Sequence, residues 1–184
     1  FMRMQEMRPE REGLFSMIYG RLSNGRLQYI GDWLFRVDFL RSIGGFVNFP
    51  FAWGSDDMTA YLAAKEKGVA NSQVPMFQYR ESSVTITRSG NYGMKYESMT
   101  RLVAILKELV NDKSIATSEL EALYQQSCKA VVAQTEKDIK DSFISNDIIS
   151  RGKFTRGLWW MLHSEKIGAT KSMVLKNWLK SLNK

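Results

Sequence analysis

Met99, Leu102, Val103, Leu106, Leu109 and Val110 recur at steps of three and four residues, which places them on one face of a helix. A buried stripe of that kind needs other elements to pack against it, and the chain downstream supplies them. Ser118 followed by Glu121 has the form of a capping box opening a second helix, expected to bury Leu120, Leu123, Tyr124 and Val131. Two shorter helical stretches follow, over Phe154 to His163 and Lys171 to Leu182. From about residue 91 onward the pattern is helical almost throughout.

Before Gly90 the pattern differs: short apolar runs alternate with Gly and Ser. Glu10 to Tyr19 reads as a helix, ended by the turn signal Ser23-Asn24-Gly25. Leu27 to Phe35 suits a buried strand interrupted at Gly31. Val37 to Ile43 is a short helix stopped by Gly44-Gly45. Ser55 is placed to cap a helix carrying Met58, Tyr61 and Leu62 and ending at Gly68. Val69 to Tyr79 reads as a strand broken or edged by Pro75, and Ser82 to Asn91 as a loop. The fold class expected is therefore α+β and mostly helical, in two parts: residues 1–90 with few short strands, and 91–184 as a helical extension.

A chain of 184 residues with 44% hydrophobic and 24% charged side chains is long enough to bury a core. Three prolines argue against a linker, and a single cysteine, Cys128, excludes an internal disulfide framework. No apolar run approaches the roughly 20 residues that span a bilayer, and no signal-peptide pattern opens the sequence. The expectation is a cytoplasmic protein, at most peripheral to the inner face of the membrane. A first residue of Phe rather than Met suggests a natural start upstream.

The net charge of +7 is concentrated: from Lys129 on, 11 Lys or Arg face 5 Asp or Glu. A basic tail is a solvated face or a contact for nucleic acid, an anionic membrane or an acidic partner. Nucleic acid is disfavoured, because the tail carries no nucleic-acid motif and its Trp residues follow an amphipathic pattern. The aromatic run Arg156-Gly157-Leu158-Trp159-Trp160-Met161-Leu162 reads as a packed helix, or as an interfacial one within 154–184 that meets a membrane surface. A helical homodimer is a further reading. His163, the only histidine, has no second ligand at metal spacing.

Chemistry is concentrated in Trp53-Gly54-Ser55-Asp56-Asp57, where two carboxylates open a helix. Acidic residues favour such positions for electrostatic reasons alone. A carboxylate fixed there can also serve as a general base toward a sugar hydroxyl.

The run from Trp33 to Phe46, ending Ile43-Gly44-Gly45-Phe46, resembles a segment of family 2 glycosyltransferases of the GT-A type. Asp56-Asp57 stands where that family carries an acidic pair, and Tyr79-Arg80-Glu81-Ser82-Ser83-Val84-Thr85-Ile86-Thr87 is similar to its Tyr-Arg-x-His-x-x-Ser-Ile-Ser segment. The resemblance covers roughly Leu27 to Thr87. It implies the acceptor-side, C-terminal half of a GT-A catalytic domain and an inverting transfer from a nucleotide-diphosphate sugar to a saccharide or lipid-linked acceptor. Asp57 would be the catalytic base, with Asp56 positioning the acceptor or the base. Trp53 and Gly45 would contact the acceptor, and Arg80 the diphosphate. Two departures stand out. Ser82 replaces the His of many relatives, and the Asp-x-Asp pair that holds the divalent metal (Mg²⁺ or Mn²⁺) and the donor does not occur in these 184 residues. The chain alone is thus expected to be inactive, with no metal site of its own. The competing reading is a basic helical binding or dimerisation module without catalysis.

Overall fold

The structure is a computed structural model that describes residues 8–23, 25–74, 76 and 92–183. Among these residues the chain is mostly helical, with two strands of two residues each. Strand β1 (Arg11–Glu12) pairs antiparallel with β2 (Val69–Ala70). The helices are α1 (Leu14–Ser23), α2 (Val37–Ser42), α3 (Ser55–Ala64), α4 (Tyr92–Asn111), α5 (Glu119–Arg151), α6 (Lys153–His163) and α7 (Lys171–Leu182).

At 33 residues, α5 is the spine of the molecule, about 50 Å long. Its two ends serve two apolar clusters. The first joins Cys128 and Val132 of α5 to Leu14, Phe15, Met17 and Ile18 of α1, Met58 and Tyr61 of α3, and the Leu102, Val103, Leu106, Leu109 and Val110 stripe of α4. The second gathers Ile144 and Ile148 of α5 with Trp160 of α6 and Val174 of α7. Stacking links the two: Tyr96 of α4 lies 4.2 Å from Phe143 of α5, which meets Trp160 edge-on at 5.9 Å. Each fully buried apolar side chain contributes about 1.5–3 kcal/mol. The first cluster draws on residues from both sides of Gly90.

Several elements differ from expectation, each for a tertiary reason. The opening helix starts at Leu14 rather than Glu10, because Arg11 and Glu12 pair with the second strand. Leu27 to Phe35 is no strand: Leu34 is exposed, and Ile30–Asp32 forms a turn in which the Asp32 carboxylate accepts from the Tyr29 amide at 2.9 Å. Among the described residues no strand lies beside it, so its apolar side chains have no ladder to join. Among the described residues the strand expected over 69–79 is seen only at Val69–Ala70; residues 75 and 77–79, and the loop expected over 82–91, lie outside them. Gly54, not Ser55, is the N-cap of α3, in the left-handed conformation at φ 76°.

The buried face of α5 is also rotated from the expected one. Leu120 and Leu123 are 62% and 68% exposed, while Gln125, Cys128 and Val132 turn inward. The cause is Glu121. Ser118 accepts from the Glu121 amide at 3.2 Å, as a cap should. The Glu121 carboxylate, however, turns to α1 and accepts from the Phe15 and Ser16 amides at 2.9 and 3.4 Å, capping a different helix N-terminus. Gly13 leaves room for it, since a β-carbon there would overlap the Glu121 carboxyl group.

Cys128 is fully buried and donates to the Phe15 carbonyl at 3.3 Å. Burial first, then the charge of Glu121, pushes its thiol up to about 12. The native chain should therefore resist alkylation by iodoacetamide near pH 8 and react fully once unfolded in denaturant, read by mass spectrometry. Rapid native labelling would contradict this packing.

Candidate functional site

The first turn of α3 is held from three sides. Its Thr59 hydroxyl accepts from the Val47 amide at 2.9 Å and donates to the Ser55 carbonyl at 2.6 Å. The Ser55 hydroxyl accepts from the Phe49 amide at 3.2 Å, and Ser98 of α4 donates to the Pro50 carbonyl. A β-carbon on Gly54 would come within 2.8 Å of Leu102, so α4 fixes the helix start sterically as well. Between these anchors Phe51 and Ala52 take left-handed φ values of 58° and 52°. Non-glycine residues pay about 1–2 kcal/mol each for that conformation. Such strain persists only where surroundings enforce it, and it lies directly before Trp53.

Asp57 is the most perturbed member of the segment. Its Oδ2 accepts from Arg21 Nε and Nη2 of α1 at 3.3 and 3.2 Å. Its Oδ1 is buried without a hydrogen-bond partner. The side chain is 15% exposed, so it does not project into the open cleft expected around a base that serves a sugar acceptor. Burial, reinforced by Asp56, raises the Asp57 carboxyl above its ordinary value, against the lowering pull of Arg21. Because the folded value exceeds the unfolded one, the stability Asp57 contributes is fully present below about pH 3.9 and is lost as pH rises through the folded value.

Behind the carboxylate, Arg21 Nη1 donates to the Arg26 carbonyl at 2.9 Å, and the buried Arg26 guanidinium pairs with Glu12. Asn71 Nδ2 donates to the same Glu12 carboxylate at 3.0 Å and to the Pro9 carbonyl at 2.9 Å. This network ties the two strands to the end of α1. Tyr61, one turn beyond Asp57 on α3, is buried with its hydroxyl unpartnered, and burial and Asp57 both raise it. Tyr61→Phe should consequently leave stability unchanged or raise it by up to about 1 kcal/mol in urea denaturation. A loss above about 2 kcal/mol would mean that the hydroxyl is bonded after all.

The other expected site residues fall as follows. Asp56 is half-buried beside Asp57. Trp53 is half-buried too, and Lys95 Nζ lies 4.3 Å from its ring centroid, occupying a face expected to be open to a sugar. Gly45, at φ 84°, ends the turn after α2 with open space where a side chain would stand. Arg80 and the segment Tyr79 to Thr87 lie outside the described residues. Among the described residues no group of three or more His, Cys, Asp or Glu side chains could hold a metal. The acidic pair does not fit one either, since Arg21 already occupies one oxygen of Asp57. His163 stacks on Trp159, and its Nδ1 lies 2.8 Å from the Trp159 carbonyl. A surface depression of about 530 Å³ is lined by residues that include Glu12, Gly13, Tyr19, Lys65, Gly68 and Glu121, and not by the acidic pair.

Comparison with family models, curated proteins and solved structures returned no match. Arg21, Arg26 and Glu12 are the members of the cluster that sequence reasoning missed. They stand up to 45 residues from Asp57 in the chain, and no local spacing marks them.

Proposed function

We propose that this chain is the acceptor-side part of an inverting glycosyltransferase and that Asp57 is its base. The donor nucleotide-sugar and its divalent metal would be held by residues outside these 184. The observation that carries the reading is the asymmetry of one carboxylate. Arg21 fixes Oδ2, while Oδ1 keeps its lone pairs unused on a rigid helix start. Desolvation makes the carboxylate a stronger base than one in water. The acceptor hydroxyl would give its proton to Asp57, its oxygen would bond to the anomeric carbon from the far side, and the nucleoside diphosphate would leave with the bonding pair. The order of Ile43-Gly44-Gly45-Phe46, Asp56-Asp57 and Tyr79-Arg80 along the chain supports the same reading.

The reading demands that an acceptor reach a carboxylate that is mostly covered here. The same ion pair supports a second reading, in which Arg21–Asp57 fastens α1 to α3 and the chain is a basic helical binding or dimerisation module. A pH profile of transfer by the complete polypeptide separates the two. A base must be ionised, so the rate should fall on acidification through a value above about 4, the ordinary carboxylate range. A rate that stays flat until below that range would leave the ion pair only a structural role.

A further inference from the structure

We propose that α6 and α7 together form an amphipathic face that docks on an anionic membrane surface. The two helices lie against α5 and against each other. Trp160 on α6, and Val174, Asn177 and Ser181 on α7, are the residues turned to the buried side. Gly157 lets the helices approach, because a β-carbon there would overlap the Trp178 ring. On the side away from α5, α6 carries Phe154, Leu158 and Leu162 at four-residue steps, and α7 carries Leu175, Leu179 and Leu182. These six side chains are between 40% and 71% exposed, which makes one apolar strip across two neighbouring helices rather than scattered surface leucines.

Charge identifies the occupant. Residues 153–184 hold seven Lys or Arg against one Asp or Glu. Lys166, Lys171, Lys176 and Lys180 are all exposed. Lys166 reaches over the Trp159 ring at 5.1 Å, and Lys180 lines the depression between α5 and α7 with Asp141, which leaves Lys171 and Lys176 as the free cations of α7 among the described residues. Arg156 is excluded from this set, being committed to Asp147 at 2.6 Å. Apolar anchors flanked by long cationic side chains match a bilayer boundary, where the stems lie along the acyl region and the ammonium groups reach phosphate. A second copy of the chain would bring two strongly basic faces together and is disfavoured by repulsion. No helix of the described residues is long and apolar enough to cross a membrane, so the contact would lie in the interface plane. This inference stands independently of the role of Asp57.

The test is co-sedimentation of the 184-residue chain with vesicles of phosphatidylcholine alone or mixed with phosphatidylglycerol. Binding to the anionic vesicles should be about tenfold or more the tighter and should weaken as salt is raised. The double variant Leu158→Glu/Leu179→Glu, and separately Lys171→Glu/Lys176→Glu, should each lose about tenfold or more of that binding. All four positions are exposed, so melting followed by circular dichroism should not change. Three results would overturn the proposal. They are indifference to anionic lipid, unaltered binding by the leucine variant, and a lipid-free dimer in ultracentrifugation that the leucine variant dissolves, which would assign the strip to a second copy.

Discussion

Replacing Asp147 by Ala should destabilise the chain by about 3–5 kcal/mol, a large share of the stability of a domain of this size. Asp147 is buried on α5 and accepts from Arg156 Nε and the Trp160 indole, both at 2.7 Å, with Arg151 Nε further out at 3.4 Å. It is the polar rivet that fastens α6 to the spine. Without it the Arg156 charge and the Trp160 donor lose their partner in a poorly hydrated site, which costs more than the pair itself contributes. Arg151→Ala is the control. That side chain is largely exposed, and its loss should cost under about 1 kcal/mol. Urea denaturation of both variants checks the pair of values. An Asp147→Ala loss no larger than that of Arg151→Ala would contradict the arrangement of the second core. The same rivet orients the exposed strip of α6, so the variant should also weaken binding to anionic vesicles.

The helices of the second half were legible because each carries its own apolar stripe. The stripe from Leu102 to Val110 is buried as its spacing requires, and Lys171–Leu182 has the bounds its pattern suggests. What local pattern could not reveal is which face a helix with competing stripes would choose. On α5, Leu120 and Leu123 looked like core, yet the Glu121 carboxylate is drawn to the amides of Phe15 and Ser16 and turns both leucines to solvent. Leu27 to Phe35 failed for a related reason. An apolar run becomes a strand only beside a partner, and periodicity says nothing about partners. At the candidate site the helix start and its two acids were readable from Trp53-Gly54-Ser55-Asp56-Asp57. The pairing of Asp57 with Arg21, across 36 positions, was not. That pairing changes the site most, turning an expected open carboxylate into a covered and anchored one.

On the proposed transferase reading, Asp57→Asn in a polypeptide that also supplies the donor site should lower transfer by about 10²–10⁴-fold, the usual contribution of a general base. An amide keeps the shape of the side chain and can still accept from Arg21 through its oxygen, so α1 and α3 stay fastened. What it lacks is the capacity to take a proton from a hydroxyl. Removing the buried negative charge also relieves the desolvation that raises the carboxyl, so stability above neutral pH should not fall. A variant that folds normally and transfers about 10²-fold or more slowly separates chemistry from architecture in a way that Asp57→Ala, which takes the carboxylate from Arg21, would not.

The most direct measurement is therefore made on one sample of the Asp57→Asn polypeptide: nucleotide-sugar affinity by calorimetry, and acceptor glycosylation under saturating donor. Affinity equal to that of the parent, with product formation down by about 10²-fold or more, is the predicted result. Product formation at the parental rate would contradict the assignment of the base and leave the Arg21–Asp57 pair as a helix fastening.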